Sequence, residues 1–289
     1  MLKNIGLVGL GLIGGCLAKT VKEKTQYHVY AADANEEVLA AAMEEGCVAG
    51  PLTKEQIGAC DVILLALYPG GIISYMEENL SYIKKGTIVV DCAGVKTSVC
   101  KNLSELCKLK GVHFIGGHPM AGIEKSGFSN SFYGLFEGAT MILCRDEHTN
   151  EEAFQTAKEF FLSLGFGSIK ESDYEEHDAV IAYTSQMAHL VSSAYIKSPT
   201  CKKRYGFSAG SFKDLTRVAY LNEDMWTELF LLNQESLLSE LDIFIDELHK
   251  YRKALAEEDR EGLRSLLKEG RICKDTDNKK EAEQKKRQA

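Results

Sequence analysis

One histidine of this chain stands in a setting suited to proton transfer near neutral pH. It is His118, within the stretch GGHPMAG of residues 116–122. A histidine with an ordinary pKa of about 6.5 can accept a proton at that pH. The following Pro119 fixes the backbone path, and we expect the glycines to let the backbone approach a ligand closely. The alternative is a turn at the end of a strand, whose histidine only caps a neighbouring group.

A second chemical signature lies near the start of the chain. Residues 3–8 have the pattern of a short buried strand, and a Gly-x-Gly-x-x-Gly turn follows that begins a helix. In a dinucleotide-binding unit the first glycine allows the tight turn and the second lets backbone N–H groups reach the pyrophosphate. The third lets the helix pack on the strand. The residues expected to bind the cofactor here are Gly9, Leu10, Gly11, Leu12, Ile13 and Gly14.

An acidic residue follows this turn at the distance that such a unit requires. Asp33 ends a second strand over residues 27–32 and lies 19 positions after Gly14. Its carboxylate would accept hydrogen bonds from the adenosine ribose hydroxyls and would repel a 2′-phosphate. Because no arginine follows within the next several positions, the pattern favours NAD over NADP. The alternative is that Asp33 caps the next helix, near Asn35.

Further apolar runs alternate with helical segments, which predicts an α/β fold with a Rossmann-type, doubly wound and mostly parallel sheet. These strands are expected at residues 61–67, 86–91, 112–115 and 139–144, with an edge strand at 167–170. Ligands gather at the carboxyl ends of parallel strands. Leu67, Tyr68 and Pro69 therefore fall where a loop beside the nicotinamide would lie. We assign residues 1–170 to the NAD-binding domain.

The second half of the chain is almost entirely helical in pattern. We assign residues 171–273 to an all-helical domain for substrate binding and dimerisation, with one long helix over residues 226–255. Six apolar side chains recur there at alternating steps of four and three, a heptad pattern that favours packing against a second subunit. They are Leu237, Leu241, Phe244, Leu248, Tyr251 and Leu255. The alternative is a core helix of one subunit. Residues 274–289 have no apolar periodicity and are expected to be disordered.

Composition excludes several classes of protein. The net charge of −8 over 289 residues argues against an extended nucleic-acid surface. The nine cysteines are odd in number and irregularly spaced, without a CxxC pair. This argues against a disulfide framework or a metal site and fits a reducing cytoplasm. No apolar run is long enough to span a bilayer.

Taken together, these motifs make the chain resemble the prephenate/arogenate dehydrogenase family of tyrosine biosynthesis, from about Leu2 to Cys273. The matching segments are GLGLIGG at 9–15, DCAGVK at 91–96, GGHPMAGIEKSG at 116–127, FKDLTRVA at 212–219, and Met225-Trp226. The combination of HPMAG with FKDLTRVA about a hundred residues later is far more specific than the glycine turn alone.

The resemblance implies an NAD-dependent oxidative decarboxylation of prephenate, with arogenate as the alternative substrate. The ring carbon that carries the hydroxyl loses a hydride, the ring carboxylate leaves as CO₂, and the ring becomes aromatic. His118 suits the base that accepts the hydroxyl proton. The planar guanidinium of Arg217 suits the ring carboxylate, and His189 corresponds to a position near the substrate side chain. Glu124 is expected to order the site or, alternatively, to cap a helix, and Lys213 to be a solvated or intersubunit charge near the substrate.

Three positions depart from the family pattern. Gly94 stands where a serine is common, Ile123 where a threonine is common, and Gln186 where some members carry a histidine. These changes surround the substrate and leave the choice between prephenate and arogenate open, with prephenate preferred. Two further alternatives are another NAD-dependent dehydrogenase, such as a β-hydroxyacid dehydrogenase, and a non-catalytic dinucleotide-binding dimer. The former relies on a helical lysine, whereas residues 185–195 offer His189 and no lysine.

Overall fold

A single sheet of eight strands organises the part of the chain that the structure, a computed structural model, describes, which is residues 2–288. The strands are β1 (Asn4–Val8), β2 (His28–Ala32), β3 (Gly50–Pro51), β4 (Val62–Leu65), β5 (Ile88–Asp91), β6 (His113–Pro119), β7 (Thr140–Cys144) and β8 (Ser168–Ser172). Their order across the sheet is β3-β2-β1-β4-β5-β6-β7-β8, and every neighbouring pair is parallel except β6 with β7. The predicted doubly wound, mostly parallel sheet is confirmed.

The central strands are buried on both faces, as expected of parallel strands covered by helices on each side. The four residues of β4 are all buried, and they alternate between two hydrophobic cores. Val62 and Leu64 face one core, whereas Ile63 and Leu65 face the other. The two-residue strand β3 was not predicted. Its Gly50-Pro51 sequence has no apolar pattern, and a proline is tolerated there because β3 is an edge strand.

Helices connect and cover these strands. They are α1 (Leu12–Lys24), α2 (Glu36–Glu44), α3 (Lys54–Ala59), α4 (Pro69–Asn79), α5 (Thr97–Lys110), α6 (Glu151–Ser163), α7 (Tyr174–Ile181), α8 (Met187–Tyr195), α9 (Gly210–Thr216), α10 (Glu223–Leu232), α11 (Gln234–Ala256) and α12 (Arg260–Gln288). A single π-helical turn, Ala182–Gln186, joins α7 to α8. The structure therefore alternates strands and helices up to β8, except that only a short 3-10 turn, Phe128–Asn130, lies between β6 and β7, and it is helical beyond β8.

The prediction of one helix over residues 226–255 is wrong in one respect, because the helix is broken at Asn233. This residue leaves helical geometry, with φ −115° and ψ 28°, between α10 and α11. Its buried side-chain amide donates to the backbone oxygen of Asp178 and to Oε1 of Gln186, each at 2.8 Å. A buried amide needs such partners, and they lie off the helix, which an apolar pattern cannot reveal.

The chain forms two compact units, one ending at Leu237 and the other beginning at Leu238. The domain boundary at residue 170 stays a prediction. The predicted disorder after Lys274 is wrong for the described residues, because α12 continues to Gln288. Ion pairs one turn apart support it, between Arg271 and Asp275 at 3.0 Å and between Lys274 and Asp277 at 2.6 Å.

Candidate active site

The carboxyl ends of five parallel strands meet at one edge of the sheet and place most of the predicted site residues together. The glycine turn follows β1, Asp33 follows β2, Leu67 follows β4, and Gly94 follows β5, whereas His118 lies near the end of β6. The connections reverse direction between β1 and β4, a position where open α/β sheets bind ligands. A dinucleotide there would extend from β2 across β1 to β4 and β5.

The glycine turn has the geometry of a pyrophosphate site. Gly9 has φ +88°, and a Cβ on it would lie 2.5 Å from the backbone oxygen of Ala66. A Cβ on Gly14 would lie 1.9 Å from the oxygen of Gly9, so α1 packs directly on the turn. Around Gly11, in contrast, a Cβ would meet nothing within 4 Å. No side chain caps α1, which leaves the first N–H groups of the helix available to an anion.

Asp33 links the glycine turn to the segment before α2. Its Oδ2 accepts a hydrogen bond from the amide of Leu10 at 2.7 Å, and its Oδ1 accepts one from the amide of Asn35 at 2.9 Å. Helix α2 is capped by the side chain of Asn35, which accepts from Glu37, rather than by Asp33. The carboxylate is therefore held beside the glycine turn, where the ribose of a bound dinucleotide would meet it.

A contact from the helical half reaches the loop expected beside the nicotinamide. Tyr68 precedes α4, which begins at Pro69, and no side chain within the helix caps it. Instead the amide of Gly70 donates to Oε1 of Glu228 on α10 at 2.8 Å. Glu228 could not be identified from the sequence, because a contact across 158 residues leaves no local signal.

His118 is the first member of a chain of three hydrogen-bonded side chains. Its Nδ1 lies 2.9 Å from Nε2 of His177, and Nδ1 of His177 lies 2.7 Å from Oδ1 of Asp178. Asp178 also accepts hydrogen bonds from the backbone amides of Lys96 at 2.7 Å and Thr97 at 2.8 Å, at the start of α5. His177 and Asp178 could not be identified from the sequence, because the packing of α7 against α5 brings them to His118.

This arrangement fixes the tautomers of both histidines. An ionised Asp178 only accepts hydrogen bonds, so His177 donates to it through Nδ1–H. The Nε2 of a neutral His177 then carries a lone pair and accepts from Nδ1–H of His118. The lone pair of His118 is consequently on Nε2, the ring nitrogen that faces away from His177. A neutral imidazole in that tautomer is a base.

Burial and neighbouring charges keep these histidines neutral. Burial, together with His177 and Lys96, holds the pKa of His118 well below its usual value. Burial also lowers the pKa of His177, although the hydrogen bond to Asp178 acts in the opposite direction. Burial alone would raise the pKa of Asp178, but hydrogen bonds from His177 and from the backbone amides of Thr97 and Lys96 hold it below the usual range. Asp178 is therefore a carboxylate at neutral pH.

The glycines before His118 serve a different purpose from the one predicted. A Cβ on Gly117 would lie 2.4 Å from the backbone oxygen of Asp91, and a Cβ on Gly116 would lie 2.7 Å from Sγ of Cys100 and 3.3 Å from Cδ of Lys96. Both glycines allow β6 to approach other parts of the protein, not a ligand. Among the glycines of this stretch, only Gly122 has open space within 4 Å.

A second cluster contains the predicted arginine. Arg217 follows α9 and pairs through Nη1 with Oε1 of Glu124, in the loop after β6. His189 on α8 shares this environment, because the charges of Arg217 and Glu124 both act on its pKa, which burial lowers. Its Nδ1 lies 3.1 Å from the backbone oxygen of Val218, and its ring lies 3.9 Å from that of Trp226. The structure thus brings Arg217, Glu124 and His189 together.

The remaining predicted residues differ in their surroundings. A Cβ on Gly94 would lie 3.6 Å from both Cδ atoms of Leu229, an ordinary contact. Lys213 is exposed and has no side-chain hydrogen bond or ion pair among residues 2–288. Gln186 is buried and donates to the backbone oxygen of Leu229 at 3.3 Å, so it holds α10 rather than facing a ligand.

In the described part of the chain, no helix is long and apolar enough to cross a membrane.

Comparisons with known proteins agree with this geometry. Residues 17–170 match the family model for the prephenate dehydrogenase nucleotide-binding domain, and residues 173–269 match that for the prephenate dehydrogenase dimerization domain. The chain is 33% identical over 278 residues to a cyclohexadienyl dehydrogenase of Zymomonas mobilis, covering 92% of this chain and 93% of that protein. The glycine turn precedes the first matched range, so its assignment depends on the geometry described above.

Two solved structures are similar over nearly the whole length. One is prephenate dehydrogenase from Aquifex aeolicus in complex with hydroxyphenyl propionate and NAD⁺, with a TM-score of 0.85, 25% identity, and coverage of 95% of this chain and 98% of that one. The other is arogenate dehydrogenase from Synechocystis, with a TM-score of 0.80, 26% identity, and coverage of 94% and 99%. The similar proteins therefore include enzymes named for different substrates.

Proposed function

Because this chain belongs to the prephenate dehydrogenase family, we propose that it catalyses the NAD-dependent oxidative decarboxylation of prephenate to 4-hydroxyphenylpyruvate. The observation that carries the proposal is the chain from Asp178 through His177 to His118, which leaves a basic Nε2 on His118. That base lies at the same sheet edge as the glycine turn, on the side of β4 and β5 where a nicotinamide would lie.

Each residue of the site has its own role in the proposed reaction. When bound, NAD⁺ accepts the hydride that leaves the hydroxyl-bearing ring carbon. Nε2 of His118 takes the hydroxyl proton as the carbonyl character of that carbon develops. Asp178, through His177, stabilises the imidazolium that forms and keeps the ring oriented. Arg217 holds the ring carboxylate until it leaves as CO₂.

The cofactor site is assigned to the residues around the glycine turn. The uncapped start of α1 and the open space at Gly11 fit a pyrophosphate. Asp33, an acceptor fixed by two backbone amides, fits the two hydroxyls of an unphosphorylated adenosine ribose. We therefore propose NAD rather than NADP as the preferred cofactor.

Arogenate is the alternative substrate, and Glu124 is the feature that favours it. Arogenate carries an ammonium where prephenate carries a keto group, and a carboxylate beside Arg217 and His189 would attract that ammonium. Purified protein is mixed with NAD⁺ and either prephenate or arogenate, then with NADP⁺, and the absorbance of the reduced cofactor is followed. Turnover of neither substrate would contradict the proposed activity.

Replacing His118 tests the assignment of the base. His118→Asn should lower kcat by orders of magnitude while NAD⁺ affinity, measured by calorimetry, stays near that of the parent protein. Unchanged turnover would exclude His118 as the base. Loss of NAD⁺ binding as well would indicate a structural role instead.

We also propose that the protein is a homodimer formed through its C-terminal helices. On α11 the side chains of Ile243, Leu248 and Leu255 are 57%, 50% and 63% exposed, more apolar surface than a lone helix usually presents to water. Part of the heptad pattern serves the chain itself, because the hydroxyl of Tyr251 lies 3.3 Å from the backbone oxygen of Leu266 on α12. Leu248→Lys should shift the mass measured by light scattering from two chains towards one. An unchanged mass would place any interface elsewhere.

A further inference from the structure

We propose that Lys96, paired with Asp91 in the protein interior, is a positioning residue that holds His118 in place by two separate hydrogen-bonded routes. This inference rests on the proposed role of His118 as the base. Lys96 lies immediately before α5, and Asp91 ends β5. Both side chains are 0% exposed and form an ion pair between Nζ and Oδ2.

The first route runs through the lysine side chain. Oδ2 of Asp91 accepts a hydrogen bond from Nζ of Lys96. Its Oδ1 accepts one from the backbone amide of Gly117 at 3.1 Å. Gly117 is the residue directly before His118. The same Oδ2 also accepts from the amide of Ala93 at 3.1 Å. Lys96 therefore binds one oxygen of a carboxylate whose other oxygen fixes the backbone directly before His118.

The second route runs through the lysine main chain. The amide of Lys96 donates to Oδ1 of Asp178 at 2.7 Å, and that same oxygen accepts from His177 at 2.7 Å. His177 in turn holds Nδ1 of His118. One residue thus fixes His118 from its backbone side through Asp91 and from its ring side through Asp178.

Stability alone does not explain a buried charge pair in this place. Burying two ions costs free energy, and well-packed apolar side chains of similar volume often replace such a pair without loss of stability. The lysine stem already lies against β6, with Cδ 3.3 Å from where a Cβ on Gly116 would be. A methionine would preserve most of this packing. What it could not preserve is the positive charge beside two histidines.

That charge acts directly on the base. Three charged or titratable groups act on His118: His177 and Asp178 on α7, and Lys96 before α5. Asp91, at the end of β5, acts on His177. Burial lowers the pKa of His118 most and His177 lowers it next. The positive charge of Lys96 lowers it further. Burial, the largest single influence on Lys96, lowers its pKa, but the combined effects of Asp91, Cys100 and Cys144 raise that pKa above its usual value. Lys96 therefore remains charged wherever the enzyme works and extends the neutral form of His118 to lower pH.

The test measures the pKa of His118 in the absence of substrate. Lys96→Met is titrated by NMR with ¹⁵N-labelled histidine, and the His118 signals are assigned by their loss in His118→Asn. We expect the pKa of His118 to rise by about one unit when the buried charge is removed. The acid limb of kcat/KM should move to higher pH by the same amount, and kcat should fall about tenfold or more, while NAD⁺ affinity stays within about threefold.

Lys101→Met is the matched control. Lys101 lies on α5, the helix that Lys96 precedes, but its side chain is 55% exposed. Its Nζ lies 3.5 Å from Oε1 of Glu175 at the protein surface. The same loss of charge there should leave the His118 titration unchanged because water screens it. If Lys96→Met fails to fold, Asp91→Asn/Lys96→Met leaves no unpaired ion and still removes the charge. It should raise the pKa of His118 as well.

A His118 pKa and a pH profile that match the parent in a folded Lys96 variant would overturn the proposal. Equal shifts in the Lys96 and Lys101 variants would overturn it too, because a buried position would then have no special effect. The NMR titration needs no substrate. It therefore decides this inference even if the parent protein oxidises neither prephenate nor arogenate, which would contradict only the proposed function.

Discussion

The carboxylate of Glu124 holds the guanidinium of Arg217, although the two residues are 93 positions apart in the chain. Glu124 comes from the loop that follows His118, and Arg217 from the segment after α9. Among the residues that the structure describes, only Nη1 of the arginine is bound by a partner, and the arginine side chain is 67% exposed. The remaining donors of Arg217 are therefore open to a second carboxylate, but an incoming anion must approach past the negative charge of Glu124.

Removing that charge should favour the more anionic substrate. Glu124→Gln keeps the size of the side chain but removes the repulsion, so we expect the KM for prephenate to fall about two- to fivefold, with the larger effect at low salt. Arogenate, whose ammonium offsets one carboxylate, should gain less or lose affinity. Arg217→Ala removes the positive charge of the same pair. It should raise the KM for prephenate strongly and leave NAD⁺ affinity nearly intact. A higher prephenate KM in Glu124→Gln would mean that Glu124 mainly orients Arg217.

The neutral histidines predict how stability depends on pH. His118 has a pKa well below 6.5 in the folded protein because of burial, whereas in the unfolded chain it binds a proton near pH 6.5. The unfolded state therefore binds more protons as the pH falls, and the free energy of unfolding should decrease below about pH 6.5 and be unaffected above it. Between pH 7.5 and 5.5 this histidine alone should cost about 1 kcal/mol.

Urea unfolding at the two pH values measures this effect, with His118→Asn as the comparison. The variant should lose about 1 kcal/mol less than the parent between pH 7.5 and 5.5. His177, whose pKa is also lowered, contributes in the same direction in both proteins. Equal losses in the two proteins would show that His118 takes up a proton as readily in the folded state as in the unfolded one.

Most of the sheet follows from local patterns in the sequence. The run Val62–Leu65 is apolar throughout because both faces of a central parallel strand are buried, and Gly9, Gly11 and Gly14 each meet the steric condition that their spacing predicts. Such features depend on residues that are close in sequence. They can therefore be found without knowing how distant segments pack.

The polar core of the site could not be predicted in the same way. His177 reaches His118 across 59 positions, and Asp178 reaches the amides of α5 across more than 80. The two glycines before His118 were expected to face a ligand, yet the atom nearest to a Cβ would belong to Cys100 at Gly116 and to Asp91 at Gly117. Each of these contacts depends on which helix face meets which strand end, and that is set by tertiary packing rather than by spacing.

Asp33 should control the choice between NAD⁺ and NADP⁺. Its carboxylate is fixed by the amides of Leu10 and Asn35, so its charge remains in place to repel a 2′-phosphate. Asp33→Ser should raise the KM for NAD⁺ about tenfold or more and lower the NAD⁺/NADP⁺ ratio of kcat/KM by at least as much. Asn35→Ala, which removes the cap of α2 without changing the charge, serves as the control and should leave that ratio unchanged. An unaltered ratio in Asp33→Ser would show that another group excludes the phosphate.

Gly94 offers a test of whether a hydroxyl after β5 improves catalysis. The family resemblance indicates a serine there, and a Cβ at this position would meet only the two Cδ atoms of Leu229 at 3.6 Å, so the side chain fits without displacing α10. A serine hydroxyl could donate to the substrate oxygen or to the nicotinamide amide. We expect Gly94→Ser to raise kcat/KM about two- to tenfold, as one added hydrogen bond can do. Gly94→Ala adds the same Cβ without the hydroxyl and should remain within about twofold of the parent. If the two variants have equal kcat/KM, the hydroxyl has no part in the reaction, and the glycine at this position reflects only the packing against Leu229.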